Sequence, residues 1–276
     1  MSLPELRVSQ LWIYPIKSLG GIRLSRTKVF PKGFEFDRRF MLIDESSSAI
    51  TQRQHPMMAL FETTILESQL EIRFQTDTRE IALRPQFSGH EIKVNIWDDT
   101  ASAFEPDEAL SKWFSGKLGI PCRLVFFPES HARPVDQRYQ IKNEHVSLAD
   151  GYPVLMIGQA SLDDLNSRLD VPVPMNRFRP NMVFEGGAAF CEDGWREFAI
   201  GQNRFAAVKP CARCILTTID QKTGQKGSEP LRTLASYRSK NNKVMFGQNV
   251  LVLEGSSISE GDSISVSLNK AEPTLP

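Results

Sequence analysis

Apolar and polar residues alternate in short runs over roughly the first hundred positions, the period of strands with one buried face. Val8 to Tyr14 is β-branched and aromatic and is stopped by Pro15, which predicts a strand. Ile22 to Phe30 follows a Gly-Gly turn and predicts another. Arg39–Asp44 and Ala49–Arg53 flank the polar tip Asp44–Ser48 and read as a hairpin. Leu60–Leu66, Leu70–Phe74 and Glu80–Leu83 have the pattern of an antiparallel meander. Glu91–Trp97 and Ala101–Phe104 make one more pair around Asp98-Asp99.

The period then changes. Leu110, Trp113, Phe114 and Leu118 recur at helical spacing, and Asp107 stands where it can cap, so the sequence predicts a helix over Asp107–Leu118. Cys122–Phe127 reads as a strand, and Pro128–Glu144 as a long polar loop or junction, a length often tied to function. In the second half, Ser161–Leu169 begins with a capping-box-like Ser161 and Asp164. Met182–Glu185 is a strand. Trp195–Ile200 and Arg204–Lys209 flank the hairpin signal Gly201-Gln202-Asn203. Leu231–Arg238 reads as a short helix, and Val250–Glu254 and Ser263–Val266 as closing strands. The tail Asn269–Pro276, with two prolines, reads as a linker or frayed end. The expected fold is α+β and β-rich: an N-terminal antiparallel β domain over 1–125, then a second β-rich domain with a few short helices over 126–276.

Composition narrows the function classes. The 276 residues include 33 Lys plus Arg and 33 Asp plus Glu, so no bulk charge argues for nucleic acid or membrane surfaces. Any anionic partner must be met by a local basic cluster. Four cysteines, Cys122, Cys191, Cys211 and Cys214, are too few for a disulfide framework. The N-terminus carries no signal-peptide pattern, and no apolar run is long enough to span a bilayer, so the expected compartment is the cytoplasm.

Cys211-Ala212-Arg213-Cys214 is the sharpest local feature. A CxxC can hold zinc, exchange disulfides or supply one thiolate to another centre. Zinc needs about four ligands, and the four histidines are scattered. A redox dithiol should open a helix, whereas Ile215–Ile219 is β-branched and reads as a strand. Two ordinary half-buried cysteines remain an equal reading. A guanidinium beside a thiol favours the thiolate, which brings in Arg213.

Several basic segments occupy turn-like contexts: Tyr14–Ser18 with Lys17 and Ser18, Asp37-Arg38-Arg39, Thr51–Gln54 with Arg53, and Asn176–Asn181 with Arg177 and Arg179. Lys, Arg, Ser and Asn are the donors that hold a phosphate and a polar heterocycle. Taken one at a time, each segment is as well explained by solvated loop charges. Asp150-Gly151-Tyr152-Pro153 is a turn whose Asp150 could accept hydrogen bonds from a ligand.

Together the segments YPIKS, DRRFML, TQRQHP, ADGYP, NRFRPN, PCARCILTTIDQKTG, EPLRTLASYR and FGQN resemble the MOSC superfamily with its N-terminal β-barrel domain, from about Leu6 to Val266. The resemblance is to the mitochondrial amidoxime-reducing component and its bacterial counterparts, and it implies a MOSC-type β-barrel for the second domain. It also implies a molybdenum cofactor (Mo-molybdopterin) with Cys214 as the metal's protein ligand and Cys211 as a neighbour. Lys17, Ser18 and Arg38 match positions that bind the pterin and its phosphate. Arg179, Asn181 and Arg213 match further cofactor contacts, with Asp150 in a contacting loop. Arg53 joins this basic set. Asn249 stands where relatives can carry an aromatic residue, and Ala212 replaces a serine. The implied activity is reduction of small N-hydroxylated substrates, fed by an external flavin or iron–sulfur reductase or by a C-terminal ferredoxin-like domain. The alternatives are a sulfur or cofactor carrier using Cys214 as a persulfide-bearing thiol, and a non-catalytic β-rich domain. Neither nucleic acid nor membrane is expected as a partner.

Overall fold

The computed structural model describes residues 5–87 and 89–270. The expected tail falls largely outside them, although Asn269 itself ends a strand. The fold is α+β and β-rich, with three α-helices among the described residues.

The largest sheet has nine strands and is built mostly from the second half of the chain. Eight run in the order Ile264–Asn269, Trp195–Ile200, Asn203–Arg213, Lys243–Glu254, Val154–Gly158, Met182–Glu185, Arg7–Ile13 and Ile22–Leu24, and the ninth, Ser239–Lys240, pairs on Lys243–Glu254. The first two strands of the chain therefore complete a sheet whose other members come more than a hundred residues later. The sheet also curls toward closure. Ile264 N donates to Leu6 O at 2.8 Å, Val8 N to Asp262 O at 2.9 Å and Gly261 N to Val8 O at 2.7 Å, joining Arg7–Ile13 to the region before the far edge strand. Closure removes a sheet edge and encloses an apolar core containing Leu11, Ile13, Met156, Phe184, Trp195, Phe198 and Phe205.

Val154–Gly158 and Met182–Glu185 are parallel neighbours. A parallel pair needs a crossover, and the helix Gln159–Asn166 supplies it. This helix starts two residues before the expected Ser161. Gly158 takes the cap position, and Ser161 is buried inside the helix with its hydroxyl on the Glu192 carboxylate at 2.8 and 3.0 Å. The capping pattern at Ser161 is thus a buried polar contact with a distant residue.

In the N-terminal half, Phe61–Leu66, Gln69–Phe74 and Asp77–Ala82 form the expected meander, and Ile92–Ile96 pairs with Asp99–Ala103. The helix Glu108–Leu118 is capped as expected, with Asp107 Oδ1 accepting from Leu110 N at 2.9 Å. Phe40–Ile43 is buried along its whole length. Phe40 and Leu42 join one core with Phe61 and Phe114, while Met41 and Ile43 join another with Val94 and Phe127. Its partner is Arg123–Phe126. The expected second arm, Ala49–Arg53, is reduced to one bridge between Ile43 and Ala49 before the chain turns. The expected run Ile22–Phe30 also breaks, into Ile22–Leu24 and Arg26–Phe30, which join different sheets.

Gly33 marks a close contact between the two halves. It has φ +105°, and a Cβ there would lie 2.5 Å from the Pro153 carbonyl, so the turn after Asp150 packs directly on backbone.

Candidate functional site

Cys211, Ala212 and Arg213 end the long strand Asn203–Arg213, and Cys214 begins the turn that follows. Strand residues two apart share a face. Arg213 and Cys211 accordingly meet, with Arg213 Nη1 donating to Cys211 Sγ at 2.8 Å. Of the two thiols flanking it, Arg213 therefore stands beside Cys211. The guanidinium beside Cys214 is instead Arg53, whose Nη1 lies 3.8 Å from Cys214 Sγ. After Cys214 the chain forms a 3-10 turn, Ile215–Thr218, where a strand was expected. Thr217 and Thr218 satisfy carbonyls three residues back, at 3.0 and 2.8 Å, so their side chains replace ladder partners. The turn leaves Cys214 exposed.

Arg53 also reaches Asp150, with Nη1 3.3 Å from Oδ2. The other Asp150 oxygen pairs with the ammonium of the buried Lys17, which also donates to Leu148 O at 3.0 Å. Removal from water raises the Asp150 pKa, but Lys17 and Arg53 outweigh it and hold the carboxyl far below its ordinary range. Burial pushes Lys17 down from its ordinary value, and Asp150 opposes that. The loop carrying Asp150 is clamped by Arg133, whose side chain is 1% exposed. Arg133 donates to the carbonyls of Ser147, Ala149 and Asp150 and to Asp99. Nothing in the polar run Pro128–Glu144 distinguished Arg133 from a solvated charge.

Arg38 and Arg179 form a second group. Both have positive φ, 49° and 54°, and both guanidinium groups lie over the Tyr14 ring, at 4.3 and 4.1 Å. Arg38 pairs with the fully buried Asp37 and donates to Asn181 Oδ1 at 3.0 Å. Asn181 is occupied on both ends, accepting also from Leu155 N at 3.1 Å and donating to Trp12 O at 3.2 Å. It therefore positions Arg38. Arg179 is different. It donates through Nη1 to Leu19 O at 2.7 Å, but among the described residues its buried Nη2 has no hydrogen-bond partner and no carboxylate stands at ion-pair distance. Burial lowers its pKa to about 10.

Arg179 lines a cavity of about 300 Å³ together with Tyr14, Gly20, Phe61, Asn176 and Gln221. Asn176 Oδ1 is also buried without a partner. Gln221 and Gln52 exchange amide hydrogen bonds at 3.1 and 3.2 Å, and Gln52 donates to Ser18 O at 2.7 Å. Ser18, with φ 68°, is thus tied down through its backbone. Gln52 and Gln221 were missed because neutral amides in loops carry no charge signal. Asn249 is not brought into this group. It lies opposite Leu155 and Lys209 in the large sheet and donates to Pro210 O at 3.5 Å.

A family model described as the MOSC N-terminal beta barrel domain matches residues 5–121, and one described as the MOSC domain matches residues 143–265. The chain belongs to the MOSC family. Mitochondrial amidoxime-reducing component 1 of Mus musculus is 35% identical over 243 residues, 84% of this chain and 71% of that protein. The Homo sapiens protein of the same name is 32% identical, over 93% of this chain and 82% of its own length. Molybdenum cofactor sulfurase of Oryza sativa subsp. japonica is 28% identical over 96% of this chain, which spans 34% of that protein.

In this MOSC chain the expected residues assemble into a cationic group. Five cations, Lys17, Arg38, Arg53, Arg179 and Arg213, stand against two carboxylates, Asp37 and Asp150. The neutral chain thus gathers an excess of three positive charges in this group, which reaches the exposed thiol of Cys214 through Arg53; of the five cations Arg179 lines the cavity, where Glu62 also stands. Among the described residues, no three His, Cys, Asp or Glu side chains converge to hold a metal ion. Cys214 can supply a single thiolate, with the remaining ligands coming from a bound group.

Proposed function

We propose that this chain is a molybdenum-cofactor oxidoreductase that reduces N-hydroxylated compounds: hydroxylaminopurines, amidoximes and hydroxylamines. The observation that carries the reading is the buried Arg179, whose Nη2 faces no hydrogen-bond acceptor beside a cavity, in a cation-rich group that reaches the exposed Cys214 through Arg53. A buried guanidinium nitrogen left without a hydrogen-bond acceptor is costly. An anionic group of cavity size would offset it, and the pterin of this cofactor carries a phosphate and a dithiolene. The residues present therefore fit the group. Cys214 would be the metal's protein ligand, and Arg179, Lys17, Arg38, Arg53 and Arg213 would hold the anion. Asp150, kept ionised by Lys17 and Arg53, would accept from ligand NH groups.

When bound, the cofactor supplies a two-electron metal centre at which an N–O bond is cleaved. The net reaction consumes two electrons and two protons and releases the amine and water. The electrons would come from an external flavin or iron–sulfur reductase, or from a ferredoxin-like domain following this chain. No helix among the described residues is long and apolar enough to cross a membrane, and we keep the cytoplasm as the proposed compartment. The division into folding units at 1–125 and 126–276 is likewise a proposal.

The test compares wild type with Cys214→Ser after expression in a host that makes the cofactor. Wild type should contain molybdenum and pterin and reduce benzamidoxime with a competent donor, while the variant loses both metal and turnover. Full molybdenum content in Cys214→Ser would sink the ligand assignment. A sulfur-carrier reading is favoured by the sulfurase relative, which matches nearly the whole chain. A persulfide on Cys214 in metal-free wild type, seen by intact mass, would select it.

A further inference from the structure

Trp97 is the most exposed aromatic among the large exposed side chains, at 65%, and it occupies the tip of the hairpin between Ile92–Ile96 and Asp99–Ala103. Its φ is +57°, a conformation suited to Gly, Asn or Asp and unfavourable for a bulky side chain. Neither burial nor turn geometry explains a tryptophan there.

Its surroundings do. The Arg53 guanidinium lies 4.4 Å from the Trp97 ring centroid, and the same guanidinium lies 3.8 Å from Cys214 Sγ. One planar group thus touches both the indole and the thiol. The hairpin is fixed on both flanks. Asn95 exchanges backbone hydrogen bonds with Ser47 and Ala49, at 2.8 and 3.0 Å. Asp99 is held at 2.6 Å by Arg133, the residue that clamps the Asp150 loop. Beside Cys214, Ile215 is 52% exposed and adds an apolar surface.

We propose that Trp97 is the stacking platform for the substrate, selecting planar aromatic or heteroaromatic N-hydroxylated compounds over aliphatic hydroxylamines. Arg53 covers part of the indole, and the open remainder receives the substrate ring beside Cys214. This deepens the reductase reading and rests on it. Aromatic side chains stack on any base because every base presents a π-face, and removing such a platform costs roughly five- to a hundred-fold in binding. The platform sets preference for ring shape, not for one named molecule.

The experiment uses the cofactor-loaded protein with 6-N-hydroxylaminopurine and N-methylhydroxylamine as competing substrates. The ratio of kcat/KM, purine over aliphatic, should fall by roughly five- to a hundred-fold in Trp97→Leu, chiefly through KM, and recover in Trp97→Phe. Phe87→Leu removes another exposed ring, one stacked on Phe104 at 4.2 Å, and should leave the ratio as in wild type. An unchanged ratio in Trp97→Leu overturns the proposal, as does an equal loss for both substrates. A second readout needs no turnover: adenine, an unreactive planar base, should quench tryptophan fluorescence in wild type and lose that effect in Trp97→Leu. Absence of quenching in wild type, or the same titration curve in the variant, overturns it. If neither substrate is turned over, the reductase reading fails by itself, and the adenine titration still decides the platform.

Discussion

Replacing Arg179 with Met separates a side chain that stabilises the fold from one that waits for an anion. In the anion-free protein, burial brings the Arg179 pKa from 12.5 to about 10. At 1.36 kcal/mol per pH unit, that difference is a penalty of about 3 kcal/mol on the charged form. Arg179→Met removes the penalty. It also removes the 2.7 Å hydrogen bond to Leu19 O, and a bond from a charged donor contributes about 1.5–3 kcal/mol. The two effects nearly cancel, and Met keeps apolar contact with Tyr14. Breaking a paired buried ion, in contrast, costs about 3–5 kcal/mol. The cofactor-free variant should therefore melt within about 5 °C of wild type, at 2–4 °C per kcal/mol for a chain of this size. Inorganic phosphate should raise the melting temperature of wild type and leave the variant unmoved. Melting curves by circular dichroism, with and without phosphate, measure both effects. A fall of 10 °C or more without phosphate, or an equal phosphate response in the two proteins, would refute the reasoning.

Arg133→Ala should be far more damaging, because it strips donors from the carbonyls of Ser147, Ala149 and Asp150 at once. A loss of about 3–5 kcal/mol, or roughly 10 °C, is expected. Asp99 is 52% exposed, so Asp99→Asn should cost no more than about 1 kcal/mol; equal damage from both would show that the ion pair, not the carbonyl clamp, matters. Glu192 is fully buried, and burial raises its pKa above the ordinary 4.5 despite donors from Gly158 and Ser161. The folded state then binds the proton more tightly, so stability is fully present below pH 4.5 and falls as pH rises through the raised value. Glu192→Gln should flatten that fall in urea midpoints measured from pH 4 to 8; parallel profiles would contradict it.

Much of this protein is legible in its sequence because much of it is local. The meander Phe61–Ala82, the hairpin at Gly201-Gln202 and the capped helix Glu108–Leu118 follow from alternation, turn chemistry and a cap, all within a few residues. Basic loops flanking strands likewise marked Lys17, Arg38, Arg53 and Arg179 as candidates, because charge and context are sequence properties. The errors have separate causes. Ser161 reads as a cap until Glu192, thirty-one positions away, takes its hydroxyl. Ile215–Thr218 reads as a strand until threonine side chains satisfy the backbone of a 3-10 turn. Ala49–Arg53 reads as a full hairpin arm, but it meets the strand Phe40–Ile43 only at the Ile43–Ala49 bridge and the Ile50 N–Leu42 O bond, and Arg123–Phe126 pairs along the strand's other edge.

The same division applies to the thiol. The sequence by itself determined that Cys211, Arg213 and Cys214 lie together, and that basic side chains accompany them. Only the tertiary structure decided which cation meets which sulfur. Strand alternation turns Arg213 to Cys211, and a loop more than 150 residues earlier brings Arg53 to Cys214. Only the folded chain, moreover, leaves Arg179 buried with Nη2 unsatisfied. Residue type fixes what a side chain can donate; which partners it lacks depends on what the rest of the chain packs around it.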